Sequence, residues 1–477
     1  MRSINNNPIQ FACILLVSNL ALKFYSITYG SFDLDEAWHV FFSQKPFLQL
    51  LKTASEDPNP PFYNILIGLW IKLFGVSEIG TRSLSVVLSS LTAPLIFLFA
   101  RKNLNIQTAI YSSLLFSVSN VHLFYAHDSR VYALVCFLTV LSFICFFEIL
   151  KNPNVLTFSL YTLINTSLLY THLVPAFAIL AQFIAALLFI KEYKKGVISI
   201  IISQAAACIL FAPWLLFSPY YQKKASTWLT PPDNHEIKEL FITYFNSETL
   251  WNNYILLAIC FIVVVLWKYI KHQEYIINWK SLLVLALWGI LPIIVDIIVS
   301  HTIIPIFLTR YMLFSSIGLF LLAGYLISII PVNTIVKIGF VVFLVSSSFF
   351  SLNFKTFKGE DWRGAVSYVK KYQTDSVLVL VSPFFQYVSF AYYYAPEAYK
   401  DYDHTLDKLG NSNVYFYGGL DILNRIDESK FKRIMLVTSH EGVVDPASLT
   451  AFLTAHYKMA ETSEFASINC YIFDVIK

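Results

Sequence analysis

Eleven apolar runs constrain this chain more than any other feature. They fall at about 9–28, 83–100, 104–122, 131–150, 154–171, 173–190, 196–217, 254–270, 281–300, 306–328 and 333–352. A helix needs roughly 20 apolar residues to cross the hydrocarbon core of a bilayer. The runs therefore predict an α-helical polytopic membrane protein with about 11–13 transmembrane helices. Composition agrees: 13% of residues are charged, against roughly a quarter in soluble domains, and the mean hydropathy is +0.61. The first run has no small-residue cleavage site and reads as an anchor. Phe62 to Phe74 is apolar over only 13 residues, which suits a helix lying in the interface.

The pattern changes near residue 353. Residues 1–352 carry 21 Lys and Arg against 15 Asp and Glu, and 353–477 carry 13 against 15. This predicts a membrane-embedded domain (1–352) followed by a soluble α/β domain (353–477). In the second part, Asp361 to Lys371 and Asp445 to Tyr457 have helical spacing. Ser376–Ser382, Val414–Tyr417, Arg433–Thr438 and Asn469–Ile476 read as strands. No glycine-rich phosphate loop is present, so the domain reads as a companion and not a nucleotide site. The six cysteines are scattered without metal-ligand spacing, which implies neither a disulfide framework nor a zinc site.

Basic clusters follow every second run: Arg101-Lys102, Lys151, Lys191 to Lys195, Lys268 to Lys271 with Lys280, and Lys337. Placing them in the cytoplasm puts the N-terminus inside and the 353–477 domain outside, provided that 62–74 does not cross. The 30–80 loop, the 122–130 turn, His172, the 218–252 loop and His301 then share the outer face. Trp228 and Pro231-Pro232 could line an entrance there.

Candidate chemistry gathers at that face. Asp33, Asp35 and Glu36 lie within four residues at the membrane rim, where carboxylates are costly to keep. Asp35-Glu36 reads either as a hydrated cap for a helix beginning near Ala37 or as a general base for an incoming hydroxyl. Asp128 and Arg130 stand at the start of an apolar run, Arg130 as a snorkelling residue or as a clamp for an anionic group. In Asp57-Pro-Asn59-Pro-Pro-Phe-Tyr63 the prolines set an abrupt helix start. Arg82 reads as an interfacial anchor or a second cation, and Arg310-Tyr311 lies inside an apolar run where the cation needs a partner. His172 ends a helix. His39, His127 and His172 have the chemistry to hold a metal, although spacing does not bring them together.

In this order the pieces resemble the polyprenyl-phosphate-dependent glycosyltransferases of the GT-C fold, nearest to protein O-mannosyltransferase-like and aminoarabinose-transferase-like members of family 39. The resemblance rests on the Asp35-Glu36 pair after the first span, Pro60-Pro61-Phe62-Tyr63 leading to Leu73-Phe-Gly75, and Ser77-Glu78 to Arg82. It continues with Asp128 to Leu134, Leu169 to His172, Arg310-Tyr311 and Asp361-Trp362-Arg363. It implies a polyprenyl-phosphate-linked sugar donor used at the outer face of a bacterial cytoplasmic membrane, with inversion. Asp35 would be the base and Glu36 would orient the loop or a substrate group. Substrate contacts would come from Asn59, Tyr63, Arg82, Asp128, Arg130, His172, Arg310 and Tyr311. The acceptor would be a lipid, a glycan or a protein; no nucleic acid is expected. No metal-ligand set is assigned and no cofactor is required, although the resemblance is compatible with a divalent cation. Two positions depart from the pattern: Asn59 where relatives often carry His or Lys, and Asp128 where they often carry Glu.

Two other readings compete. A flippase or transporter needs polar groups near mid-membrane, often on broken helices; Asp296 and Glu148 instead lie near run ends. A silent relative acting as an assembly partner would account for Asn59, but Asp35, Arg130 and Arg310 are all retained.

Overall fold

The computed structural model describes residues 4, 7–223, 229–272, 277–355, 359–417, 430–439 and 446–475. Trp228 and Asp445, singled out above, lie outside them. The chain divides into two compact units. A helical unit comprises residues 1–25, 51–66 and 82–353, and a sheet unit comprises 26–50, 67–81 and 354–477.

The eleven apolar runs are predominantly helical. Among the described residues, six helices are long and apolar enough to cross a membrane: Glu78–Asn103, Tyr132–Lys151, Lys194–Phe217, Glu248–Ile270, Trp279–Thr302 and Thr309–Ile329. Pro8–Phe24, Ala176–Leu187 and Thr334–Phe350 are shorter apolar helices. The 104–122 run divides into Ile106–Ser117 and Asn120–Ala126. Phe62–Phe74 forms a 13-residue helix ended by Gly75, whose φ of +77° is a left-handed cap that other residues adopt poorly.

Two devices hold the helical unit together. Small residues let backbones touch: a Cβ on Gly318 would lie 2.8 Å from the Gly289 Cα. Beside that crossing, Trp288 stacks on Phe143 with ring centres 3.7 Å apart and donates from Nε1 to Phe314 O at 3.2 Å. Elsewhere buried polar side chains link helices where no water can satisfy them. Ser142 Oγ donates to Asn165 Oδ1 at 2.6 Å. Tyr161 Oη donates to Gln182 Oε1 at 2.6 Å and accepts from Gln204 Nε2 at 2.9 Å. Glu148 pairs with Lys102 at a helix end.

Among its described residues the sheet unit has five strands: β1 (Val377–Ser382), β2 (Val414–Phe416), β3 (Arg433–Ser439), β4 (Lys458–Phe465) and β5 (Ile468–Asp474). Their order is β2-β1-β3-β5-β4, with β2, β1 and β3 parallel and the last two pairings antiparallel. β1 is buried throughout. Val377, Val379 and Val381 pack with Trp362, Val366 and Val369 on one face, and Leu378 and Leu380 with Leu449 and Leu453 on the other. Sequence patterning did not foresee β4. Its residues are mostly exposed and lack alternation, as suits a charged edge strand. The valine-side core also takes in Phe32, Ala37, Val40 and Phe41, so the acid-bearing loop is anchored by its own apolar residues.

Candidate functional site

In the helical unit, three stretches far apart in sequence converge. The Arg130 guanidinium carbon lies 5.0 Å from the Tyr132 ring centre, and that of Arg310 lies 5.6 Å from the Tyr311 ring centre. The two tyrosine rings stack 6.5 Å apart at 26°. His172 packs on Tyr311 at 4.7 Å, and Tyr125 meets Tyr132 edge-on at 4.8 Å. The result is a cationic, aromatic cluster built from Tyr125–Tyr132, His172 and Arg310-Tyr311. Two polar atoms in it, Arg310 Nε and Tyr132 Oη, are buried with no hydrogen-bond partner among the described residues. Such groups are expensive to leave unmatched.

His172 is neutral in this setting. Desolvation, reinforced by Arg130 and Arg310, pushes its pKa down to about 3. The Val174 amide donates to its Nδ1 at 3.2 Å, so Nδ1 is the acceptor and Nε2 carries the proton. The ring is thus an uncharged donor beside two cations.

Local structure fixes each part. Asp128 is buried, and its backbone oxygen accepts from Ser85 Oγ at 2.6 Å. The approach to Arg310 is held twice. Ile306 N donates to Ser300 Oγ at 3.1 Å, and Ser300 Oγ donates to the buried Asp296 at 3.2 Å. Tyr244 Oη donates to Thr309 O at 2.9 Å. Asn59 donates from its amide at 2.7 Å and from Nδ2 at 3.1 Å to Asp57 Oδ1, which gives it a turn-forming role. Tyr221 Oη donates to Pro58 O at 2.5 Å and Ser218 Oγ to Ser55 O at 2.6 Å, pinning that loop. Tyr220 is within electrostatic reach of both Asp57 and Tyr311; burial first, then these two groups, raise its pKa. Tyr63 and Arg82 are almost wholly buried. An apolar cavity of about 500 Å³, lined by Leu51, Phe62, Ile65, Tyr170, Trp214 and Phe217 among others, lies in the same unit.

In the sheet unit, Asp33 caps the helix Leu34–Ser43, accepting from Glu36 N at 2.7 Å. The capping function that the sequence offered to Asp35-Glu36 therefore falls to Asp33. Asp35 is exposed and Glu36 fully buried, both in the first turn, where negative charge is favoured. Asp33 and Glu36 offer carboxylate oxygens within 4.8 Å of one another, a spacing that a divalent cation could bridge.

A second set of residues, not assigned to the site by sequence reasoning, grips this loop. Arg363 Nη2 donates to both Glu78 oxygens at 2.8 and 2.6 Å and to Thr28 O at 3.0 Å. Tyr393 Oη pairs with Glu78 and accepts from Phe32 N at 2.6 Å. Ser31 Oγ donates to Glu360 O at 2.6 Å and accepts from Trp362 N at 3.1 Å. The Asp361-Trp362-Arg363 motif thus does more than open the C-terminal segment. Its only signal in sequence was family resemblance.

No protein-family model and no curated protein matches the sequence. Solved structures do. ArnT from Cupriavidus metallidurans in the apo state superposes with a TM-score of 0.62 over 98% of both chains, at 10% identity. The same protein bound to undecaprenyl phosphate gives a TM-score of 0.57 over 97% of this chain and 98% of that one, also at 10% identity. Over nearly its whole length, therefore, this multi-pass membrane chain has the GT-C fold of ArnT, carried by its helical unit together with a sheet domain.

Proposed function

We propose that the protein is a membrane glycosyltransferase that moves a monosaccharide from a polyprenyl-phosphate donor to an acceptor hydroxyl or phosphate. The observation that carries this reading is the cluster of buried Arg130 and Tyr132 with half-buried Arg310, Tyr311 and neutral His172, in a chain with the ArnT fold. Two guanidiniums with an unmatched Arg310 Nε suit a phosphate leaving group, and undecaprenyl phosphate is bound in the related ArnT structure. The apolar cavity beside Tyr170 has the character that a polyprenyl chain requires.

In this scheme Asp35 takes the proton of the acceptor hydroxyl as its oxygen bonds to the anomeric carbon. The bond from that carbon to the phosphate oxygen breaks, its electron pair leaves with the lipid phosphate, and configuration inverts. Glu36, buried in the same helix turn, orients the loop or a substrate group. Asp33 and Glu36 would hold a divalent cation if one takes part. Asn59, Tyr63, Arg82 and Asp128 complete the proposed substrate contacts. The alternation of Lys and Arg along the chain supports a cytoplasmic N-terminus, with donor and acceptor used at the outer face of a bacterial cytoplasmic membrane.

The test is a donor assay in lipid nanodiscs with a panel of radiolabelled polyprenyl-phosphate sugars. Wild type should consume one donor, and Asp35→Asn should lose about 10²- to 10⁴-fold in turnover, the usual share of general base catalysis, while still binding it. Consumption of no donor by wild type would defeat the reading; turnover unchanged in Asp35→Asn would remove Asp35 as base.

A further inference from the structure

Lys23 occupies the last turn of the apolar helix Pro8–Phe24. A lysine there ordinarily threads its ammonium outward to headgroups and water. This one is 0% exposed. Its Nζ donates to Ser89 O at 3.2 Å and to Ser89 Oγ at 2.9 Å, and faces the Phe116 ring at 4.7 Å. Two neutral acceptors and a ring face account for all three ammonium donors. Sequence reasoning passed over this residue as part of an anchor.

The surroundings say what it holds. Ser89 and Ser85 stand four residues apart on the helix Glu78–Asn103, hence on one face. While Ser89 takes the Lys23 ammonium, Ser85 Oγ donates to the backbone oxygen of Asp128 at 2.6 Å. The Lys23 carbonyl, which can only accept, lies 2.7 Å from His127 Nε2, so that nitrogen carries the proton. Two successive residues, His127 and Asp128, are therefore tied to the Lys23–Ser89 crossing, one from each helix. Arg130 follows two residues later.

We propose that Lys23 is a positioning residue: the hydrogen bonds of its buried amino group to Ser89 lock the Pro8–Phe24 and Glu78–Asn103 helices in the register that fixes the 127–130 segment, and with it the Arg130 guanidinium. This rests on the anion-binding reading of Arg130 above. A displacement of one ångström at a charged contact is enough to change binding or turnover substantially.

The experiment compares wild type, Lys23→Met and Lys23→Arg in nanodiscs, with Ser85→Ala as a second way to release the segment should Lys23→Met fail to fold. Hydrogen exchange of peptides covering 119–131 is measured first, then affinity for undecaprenyl phosphate, with melting temperature as the control. Methionine fills a similar volume without the Nζ hydrogen bonds, so the change removes those contacts and leaves the packing nearly as it was. Lys23→Met should keep its melting temperature, exchange faster within 119–131, and bind undecaprenyl phosphate about tenfold more weakly, with Lys23→Arg recovering much of the loss. Unchanged exchange in this segment in both Lys23→Met and Ser85→Ala would overturn the proposal, as would a uniform rise across the chain with a lowered melting temperature. If wild type binds no undecaprenyl phosphate, the anion-site reading fails, and the exchange data alone decide whether Lys23 holds the segment.

Discussion

The loop carrying Asp35 and the segment carrying Arg130 are both held by a cation, in opposite ways. In the sheet unit, Arg363 reaches a carboxylate, Glu78, with Arg363 45% and Glu78 11% exposed. In the helical unit, Lys23 is wholly enclosed and is met by serine oxygens and a phenylalanine face. The difference follows the medium. Where water reaches the pair, opposite charges meet at little desolvation cost and the geometry of a guanidinium fork gives direction. Inside an apolar bundle a second charge would add its own desolvation penalty, so neutral acceptors suffice. A functional group can thus be fixed by charge pairing at a wet surface and by neutral hydrogen bonding in a dry one.

The largest test of this contrast lies at the cation cluster. Arg310→Met removes a guanidinium whose Nε has no partner among the described residues, so little internal bonding is lost. The proposed ligand loses a charge-assisted contact of about 1.5–3 kcal/mol, roughly 10- to 100-fold in undecaprenyl phosphate affinity. Calorimetry or competition binding reads it directly. Affinity equal to wild type would detach Arg310 from the anion.

At the sheet unit the expected effect is smaller. Arg363→Met and Glu78→Gln each break one side of the grip on residues 28–32. About 1 kcal/mol is a fair discounted value for so exposed a partner, and turnover should fall roughly fivefold with donor affinity unchanged. The double variant should lose little more than either single one, because both remove the same contact. Additive losses would mean that the two residues act separately.

How far the sequence disclosed these arrangements depends on the range of the interactions. The apolar runs were legible as helices because length and apolar composition are local signals. β1 was legible as an unbroken valine-leucine run buried on both faces, whereas β4, with exposed and charged residues, carried no periodic signal. At the site, the resemblance grouped Arg130, Arg310, Tyr311 and His172 as substrate contacts on one face. Their mutual ring and guanidinium contacts were not readable, since no local pattern links residue 130 to 172 and 310. Lys23 and Arg363 were missed for the same reason: their partners, Ser89 and Glu78, lie 66 and 285 residues away. Asn59 was read as a departure from a phosphate-binding position; the structure gives it a local turn with Asp57.

A pH experiment sharpens the view of the dry site. His172 has a folded pKa near 3, against 6.5 as its ordinary value. As pH falls below 6.5 the unfolded chain takes up a proton that the folded one refuses, so stability is lost from there downward. Between pH 7.5 and 5 this amounts to about 1–2 kcal/mol, and His172→Gln should remove that part of the decline in melting temperature. An equally steep decline in the variant would show that the ring protonates freely in the folded protein.

The smallest effect separates the two grips most directly. Salt screens charges that water can reach and leaves enclosed ones nearly untouched; the Debye length shortens from about 10 Å at 0.1 M to about 3 Å at 1 M. Raising NaCl across that range should loosen the Arg363–Glu78 contact and leave Lys23–Ser89 as it was. Hydrogen exchange in nanodiscs should then quicken by roughly twofold in peptides covering 28–33, with no change in 119–131. Because Arg363→Met has already lost the ion pair, its exchange over 28–33 should be insensitive to salt. Equal acceleration in both segments would mean that the ammonium of Lys23 is reached by solvent ions. Its neutral acceptors would then be an accident of packing and not the answer of a dry bundle to a buried charge.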